Sequence, residues 1–170
     1  ILCGNSGTQM GGWFRKEIKT VDDLKGLKFR IAGMGGHVLA RLGIVPQQIA
    51  GGDVYSALEK GSIDAAEFVG PYDDEKLGFH KVARYYYYPA WWEGGAALQV
   101  FVNGKAWEAL PKEYRAILEA ATAEANTWML TRYDTQNAVA LKRLVGGGTQ
   151  LRAFPRPVME ACHRESLALY

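Results

Sequence analysis

Long apolar runs, clusters of a single charge and closely spaced cysteines are all absent from the 170 residues of this chain. No apolar run approaches the roughly 20 residues that a membrane-spanning helix needs. Lys and Arg number 20 against 18 for Asp and Glu, and the two signs are interleaved along the chain. Such a balance argues against a basic surface for nucleic acid or an anionic membrane. We therefore expect a small ligand and no nucleic acid partner.

Cysteine and histidine are both scarce, which bears on metal and redox chemistry. Cys3 and Cys162 fit no metal-ligand or redox spacing; one disulfide and two separate thiols remain the alternatives, and the thiols are favoured. The three histidines show no paired metal spacing, and no Ser/His/Asp or Cys/His arrangement is found.

Nothing in the chain is a positioned nucleophile or base, so we do not expect an enzyme. A metal-assisted lyase or hydrolase built on Glu67, Asp73 and Glu93 ranks last among the functions considered. The three bunched acids of PYDDEKLG are expected to form a solvated helix start rather than a catalytic pair.

The first residues, ILCGNSGTQM, resemble the end of a strand that enters a loop. They lack the basic head and the long apolar stretch of a secretory signal. Expressed as it stands, the chain is therefore expected to stay in the cytoplasm.

Turn signals divide the first half of the chain into short strands that alternate with short helices. The predicted strands are LKFRIAG, IVPQQI and IDAAEFV, and the predicted helices are the TVDDLKG turn, GGHVLARLG and GDVYSALEKG. This alternation predicts an α/β fold with a parallel or mixed sheet flanked by helices. Ligands of such sheets bind at the carboxyl ends of the strands, which directs attention to Arg30 and to Glu67–Tyr72.

The second half is dominated by one long predicted helix, at about residues 111–145. Its apolar residues recur at three-and-four spacing and predict an amphipathic helix. The helix is predicted to end at Gly146. One strand, ALQVFVNG, is predicted before the helix, and a last strand, TQLRAF, after it. With 48% hydrophobic residues, the chain can bury the core of one domain.

Arg30 lies between Phe29 and Ile31 in a predicted strand. A surface strand could carry a solvated arginine at little cost. At a strand end, however, the guanidinium offers a planar fork that matches a carboxylate. Its place at the expected ligand-binding edge favours carboxylate binding.

The segment YYYYPAWWEGG, residues 85–95, gathers six aromatic rings around one acid, Glu93. If it is a strand, its tyrosines point alternately to two faces, two into the core and two toward a cleft or helix. If it is a pocket wall, poor solvation of Glu93 requires an arginine, a lysine or a metal ion. Glu67 and Gln9 could supply further oxygens, which suit hard cations such as Na⁺ or Ca²⁺.

Three ordered stretches carry a family resemblance over essentially the whole chain. They are CGNSGTQMGGWFRKEIKTVDDLKGLKFRIAG, VPQQIAGGDVYSALEKGSIDAAEFVGPYDDEKLGFHKVARYYYYPAWWEGG and NGKAWEALPKEYRAIL. Together they resemble the solute-binding subunits of tripartite ATP-independent periplasmic (TRAP) transporters of the DctP type. GNSGTQMGGWF and YYYYPAWWEGG narrow the resemblance to the branch that binds 2-oxo acids or lactate with a metal ion.

The resemblance implies a role for each matching residue. Arg30 would pair with the ligand carboxylate, and Gln9, Glu93 and the backbone carbonyl of Phe68 would hold the cation. Glu67 joins the predicted metal set. The predicted ligand set also includes Asn5, Phe68, Tyr72, Trp91 and Trp92, with the two indoles as the pocket wall. Tryptophan is typical of the branch at the position of Phe68, so the pocket wall would differ here.

Family members are two-lobed clamps of roughly twice this length. The chain resembles the second lobe with its connecting helix, a periplasmic-binding-protein-like lobe over residues 1–170, without the first lobe and the C-terminal end. The resemblance implies a periplasmic location and transporter membrane subunits as partners. Without the first lobe, apolar surface of this chain that would pack against it is expected to be exposed, which would favour a homo-oligomer. The alternative function is therefore a truncated lobe that no longer binds solute and acts as an oligomeric interaction module.

Overall fold

Eight strands and six α-helices alternate along the chain, and a computed structural model describes all 170 residues. The strands are β1 (Leu2–Asn5), β2 (Gly12–Phe14), β3 (Lys28–Arg30), β4 (Val45–Gln47), β5 (Ala65–Ala66), β6 (Tyr85–Tyr88), β7 (Ala97–Gln99) and β8 (Gln150–Ala153). The helices are α1 (Gly33–Arg41), α2 (Val54–Glu59), α3 (Pro71–Leu77), α4 (Gly104–Ala109), α5 (Lys112–Gly146) and α6 (Arg156–Leu167). None of these helices combines the length and the apolar character needed to cross a bilayer.

Six strands form a mixed sheet in the order β4-β3-β5-β2-β6-β8. Strand β2 is antiparallel to both of its neighbours, while β3 is parallel to β4 and β5, and β6 is parallel to β8. Five strands therefore share one direction and β2 alone runs against them. This arrangement confirms the predicted α/β fold with a mixed sheet, flanking helices and one long helix.

Apolar clusters cover both faces of the sheet, and the two middle tyrosines of the run are buried on opposite faces. Tyr86 packs with Trp13 in the apolar cluster on one face, and Tyr87 packs with Phe14 in the cluster on the other. Tyr85 is half-buried and Tyr88 is exposed. The core thus lies in two layers, and the tyrosines beside each other in the sequence anchor opposite layers.

Strands β1 and β7 form a separate antiparallel ribbon against which α5 packs. Only Ala140 and Leu144 are buried within α5. Ile117 and Trp128 are each 61% exposed. Most of the apolar residues from which an amphipathic helix was predicted therefore contact no core. Only the last turns, through Leu141 and Leu144, pack against the buried cluster that contains Trp13 and Tyr86.

All five predicted strands are shorter than expected, two of them markedly. Of residues 63–69 only Ala65–Ala66 join the sheet, and of residues 97–104 only Ala97–Gln99 join the ribbon. The chain leaves β5 at Glu67 because Arg30 takes up both the carboxylate and the backbone carbonyl of Glu67. Both cysteines are free thiols, as favoured, with Cys162 buried.

The interpretation of PYDDEKLG as a solvated helix start is wrong for Asp74, which is 1% exposed. Its carboxylate accepts hydrogen bonds from Trp13 Nε1 at 2.9 Å and Tyr86 Oη at 2.7 Å. The two donating rings are stacked, with centroids 3.9 Å apart. Asp74 therefore satisfies two polar groups that would otherwise be buried without partners.

Asp74→Asn should alter how stability depends on pH. Burial raises the pKa of Asp74 to about 7, so between about pH 4 and pH 7 the folded state binds a proton that the unfolded state releases. This contribution to the free energy of unfolding is full at low pH and is lost as the pH rises through 7. Relative to the parent, the free energy of unfolding of Asp74→Asn should therefore increase as the pH rises from 4 to 7, as measured by chemical denaturation. Exposed Asp53→Asn is the matched control, and a difference that does not change with pH would contradict the prediction.

Candidate functional site

The carboxyl ends of the five parallel strands lie at one edge of the sheet. Arg30 ends β3, Glu67 follows β5, and the segment from Pro89 to Glu93 follows β6. Because β2 runs the opposite way, its beginning lies at the same edge and brings the Gln9 loop there. Four parts of the chain that are distant in sequence therefore meet at this edge.

Arg30 is held on three sides. Its Nη1 donates to Glu67 Oε1 at 2.5 Å and to the Glu67 carbonyl at 2.7 Å, and its Nε donates to the Ile49 carbonyl at 3.3 Å. The guanidinium carbon lies 5.5 Å from the centroid of the Phe68 ring. Nη2 makes no hydrogen bond within the protein, so it is the nitrogen left to meet a ligand.

Glu67 is mostly buried and carries an altered proton affinity. Burial raises the pKa of Glu67 to about 7; Arg30 acts in the opposite direction, and the carboxylates of Glu93 and Asp74 add to the rise. Glu93 is thus close enough for its charge to be felt at Glu67. With Oε1 committed to Arg30, Glu67 positions the guanidinium, and its role as a metal ligand stays a prediction.

Gln9 is buried in the loop that precedes β2 and is tied to the Glu93 side of the site through Ser6. Gln9 Nε2 donates to Ser6 Oγ at 3.1 Å, and the same oxygen accepts a hydrogen bond from Ala96 N at 3.0 Å. The Gln9 side-chain oxygen therefore stays free. Gly95 permits this approach, since a Cβ there, at φ 157°, would lie 2.5 Å from the Gly7 carbonyl oxygen.

Phe68 contributes its ring and its carbonyl in different ways. The ring lies between Arg30 and Gly51, where a Cβ would come within 2.9 Å of it, and meets Phe79 edge-on. The carbonyl oxygen accepts no backbone or side-chain hydrogen bond. It is therefore available as an oxygen ligand, the role that the resemblance implies.

Glu93 lies in a turn, with its backbone N–H donating to the Ala90 carbonyl at 3.2 Å. Its carboxylate forms no ion pair with any lysine or arginine of the chain. Trp92 meets Phe29 edge-on and packs on Gly35 of α1, and Trp91 meets Trp92 edge-on. These contacts give the indoles a packing role; their role as the ligand wall stays a prediction.

Tyr72 and Asn5 already have partners within the protein. Tyr72 Oη accepts a hydrogen bond from Arg132 Nη2 at 3.0 Å, and Lys76 Nζ lies 3.4 Å from its ring centroid. Asn5 Oδ1 accepts from Gly7 N at 2.8 Å and shapes the turn after β1. Tyr72 thus faces α5 rather than Arg30 in its recorded contacts, and its role toward a ligand stays a prediction.

The residues that converge here fit a hard cation. A free amide oxygen, a free carbonyl and a carboxylate without a cationic partner, those of Gln9, Phe68 and Glu93, are ligands that Na⁺ and Ca²⁺ prefer. No group of three or more His, Cys, Asp or Glu side chains suited to a metal exists in the structure. A zinc-type centre would need such a group, whereas a site of mixed oxygen donors does not.

Three residues that shape the site were not predicted from the sequence. Ser6 couples two loops, and the polar run GNSG at a strand end is the signal that could have identified it. The Ile49 carbonyl fixes Arg30, but backbone oxygens leave no trace in residue identity. Asp74 anchors β2 by accepting a hydrogen bond from Trp13. Its burial was not predicted, because the neighbouring acids Asp73 and Glu75 suggested a solvated segment.

Comparison with known proteins places the whole chain in one family. The model of the DctP family, described as bacterial extracellular solute-binding protein, family 7, matches residues 2–170. The chain is 56% identical over 168 residues to the monocarboxylate 2-oxoacid-binding periplasmic protein of Nostoc sp.. That match covers 99% of the chain and 46% of the relative.

Solved structures agree with this match. A TRAP transporter solute-binding protein from Bordetella bronchiseptica, a dimer with copurified calcium and picolinate bound in one site, is 58% identical with a TM-score of 0.95. One from Pseudoalteromonas atlantica, with bound sodium and pyruvate, is 47% identical with a TM-score of 0.93. Each comparison covers 99% of the chain, but only 50% and 52% of the respective solved chain.

The chain therefore spans about half the length of the relatives it matches. The expected cation, Na⁺ or Ca²⁺, is confirmed for these solved relatives, and the family is periplasmic. Its members are solute receptors rather than enzymes, which confirms the expectation that the chain is not an enzyme. The chain belongs to the DctP family of TRAP transporter solute-binding proteins.

Proposed function

We propose that the chain binds a small 2-oxo or 2-hydroxy monocarboxylate, such as pyruvate or lactate, together with Na⁺ or Ca²⁺. In this role it would serve as part of the solute receptor of a secondary transporter. The observation that supports the proposal is that Arg30 Nη2 and the oxygens of Gln9, Phe68 and Glu93 have no partners within the protein, on segments that the sheet topology brings to one edge.

The charge balance at this edge supports a cation and a carboxylate binding together. With both acids ionised, Arg30 supplies one positive charge, and Glu67 and Glu93 supply two negative charges. A carboxylate arriving alone would increase the excess of negative charge in a partly buried region. A cation offsets that excess, so neither partner is expected to bind well without the other.

Each proposed contact has a definite atom. Arg30 Nη2 would donate to a ligand carboxylate oxygen, with Glu67 and Ile49 holding the guanidinium in place. Gln9 Oε1, the Phe68 carbonyl and the Glu93 carboxylate would hold the cation, which supplies attraction for a carboxylate oxygen and the neighbouring 2-oxo or 2-hydroxy oxygen. Two oxygens on adjacent carbons favour 2-oxo and 2-hydroxy acids over simple carboxylates.

We also infer that residues 1–170 form the second lobe of a two-lobed periplasmic receptor whose partners are the transporter membrane subunits. The coverage of about half of each relative supports this inference. So does the exposed apolar side of α5, including Ile117 and Trp128, which another lobe would cover. The same surface favours a second candidate function, an oligomeric interaction module that has lost its solute.

Solute binding can be tested by thermal unfolding of the purified chain with pyruvate, 2-oxobutyrate, lactate and succinate. Each acid is tested with Na⁺, with Ca²⁺ and with a chelator. We expect a rise in Tm only for a 2-oxo or 2-hydroxy monocarboxylate combined with one of the cations, because ligand binding to the folded state stabilises it. If no combination raises the Tm, the lobe does not bind solute by itself, and the interaction module is the better account.

Arg30→Ala should remove carboxylate binding, and the unliganded Tm reports how far the fold depends on this partner of the buried Glu67. Loss of the counter-charge is expected to cost about 2–5 kcal/mol of binding free energy, an affinity loss of about 30-fold or more. Isothermal titration with pyruvate and the preferred cation measures it. Arg41→Ala, which removes an exposed surface pair with Glu165, is the matched control. Unchanged affinity in Arg30→Ala would overturn the role of this residue.

Glu93→Gln should weaken binding that depends on the cation. The amide keeps the size of the side chain but removes the negative charge, so the titration should require a higher cation concentration to reach the same pyruvate affinity. Because Glu93 has no ion-pair partner in the chain, the unliganded Tm should stay close to that of the parent. Glu113→Gln on exposed α5 is the control. A collapse of the unliganded Tm would show that Glu93 is structural.

A further inference from the structure

The opposite edge of the sheet holds a cavity of about 410 Å³ that the proposed function does not use. It lies where β5, β6 and β8 begin and where β2 ends. Residues that line it include Arg15, Lys16, Asp64, His80, Lys81 and Arg84, with the backbone of residues 147–149 closing one side. Four cationic side chains thus share one concave surface with a single acid.

None of the four cations is neutralised within the protein. The seven ion pairs of the structure involve other lysines and arginines, and none includes Arg15, Lys16, Lys81 or Arg84. The single acid, Asp64, is already engaged through one carboxylate oxygen, which accepts a hydrogen bond from Lys28 N at 2.9 Å. The cavity carries an excess of three positive charges, more than the net charge of +2 of the whole chain.

We propose that this cavity is a second anion site, which binds a small multivalent oxyanion of the phosphate or sulfate type. Guanidinium and ammonium groups are the usual partners of such anions, and Arg15 and Arg84 can each donate two N–H groups. The anion would relieve the repulsion among four like charges held around one cavity. The site is separate from the carboxylate site, because Arg15 lies at the edge where β5 and β6 begin and Arg30 lies at the opposite edge, at the end of β3.

The strand directions explain why the cations gather. Arg15 follows β2, which is paired with β5 and β6, so Arg15 lies beside the residues that precede those strands, Asp64 and Arg84. Thr149 precedes β8, which is paired with β6. The antiparallel insertion of β2 therefore brings basic residues to the amino edge, just as it brings Gln9 to the carboxyl edge.

Inorganic phosphate is the probe for this proposal, titrated at constant ionic strength against chloride and followed by Tm and isothermal titration. The parent chain should show saturable binding. Lys16→Gln/Arg84→Gln should weaken the affinity about tenfold, since two exposed charge contacts are lost. Lys105→Gln/Lys112→Gln makes the same charge change outside the cavity and should leave phosphate binding unchanged. Both cavity positions are exposed, so folding should survive substitution.

Arg30→Ala should bind phosphate as the parent does, which separates this site from the proposed solute site. Sedimentation with phosphatidic acid vesicles distinguishes a lipid phosphate from the free anion: vesicle binding that phosphate displaces and the cavity variant loses identifies the lipid headgroup. Binding of phosphate that does not saturate, that is equal in the cavity variant, or that is lost in Arg30→Ala would overturn the proposal.

Discussion

The direction of one short strand, β2 (Gly12–Phe14), decides where both charged regions of the molecule form. It is the only strand that runs against its neighbours in the sheet of six. Trp13 points into one core layer and Phe14 into the other. If the register of β2 slipped by one residue, each ring would point into the layer that the other ring occupies now. Asp74 favours the observed register of β2, because the Trp13 indole can donate a hydrogen bond to its carboxylate and the Phe14 ring cannot.

The carboxyl edge carries a charge arrangement that suits a ligand of mixed sign. A guanidinium buried alone would be costly, and Glu67 offsets that cost while leaving Nη2 of Arg30 free. Glu93 then adds a negative charge that no basic side chain balances. In the proposed function, this arrangement would let a cation bind near Glu93 and an acid near Arg30, each offsetting the charge that the other brings.

The sequence predicts the fold class well because its turns and periodicities are local signals. Gly43 and Gly61 end short helices, and the alternation of elements indicates the parallel strands and hence the edge at which Arg30 lies. Burial is harder to predict, because it depends on which layer covers each face. Asp74 was expected to be solvated, yet it is buried and accepts hydrogen bonds from two stacked aromatic side chains. The apolar spacing of α5 predicted an amphipathic helix but did not show that most of its apolar residues would be exposed.

The candidate site could be proposed from the sequence where a side chain would carry the chemistry, as with Arg30, Gln9 and Glu93, whose roles stay predictions. It was not predictable where backbone groups fix the geometry, as the Ile49 carbonyl does for Arg30. Strand β5 contains only two residues, so the sheet alone cannot hold the site loops in place. Cross-links between loops supply the rest: Met10 N donates to the Val69 carbonyl, and Ser6 Oγ accepts from both Gln9 and Ala96. A single serine hydroxyl thereby couples the loops of the two proposed cation ligands, Gln9 and Glu93, so that displacing one loop would disturb both.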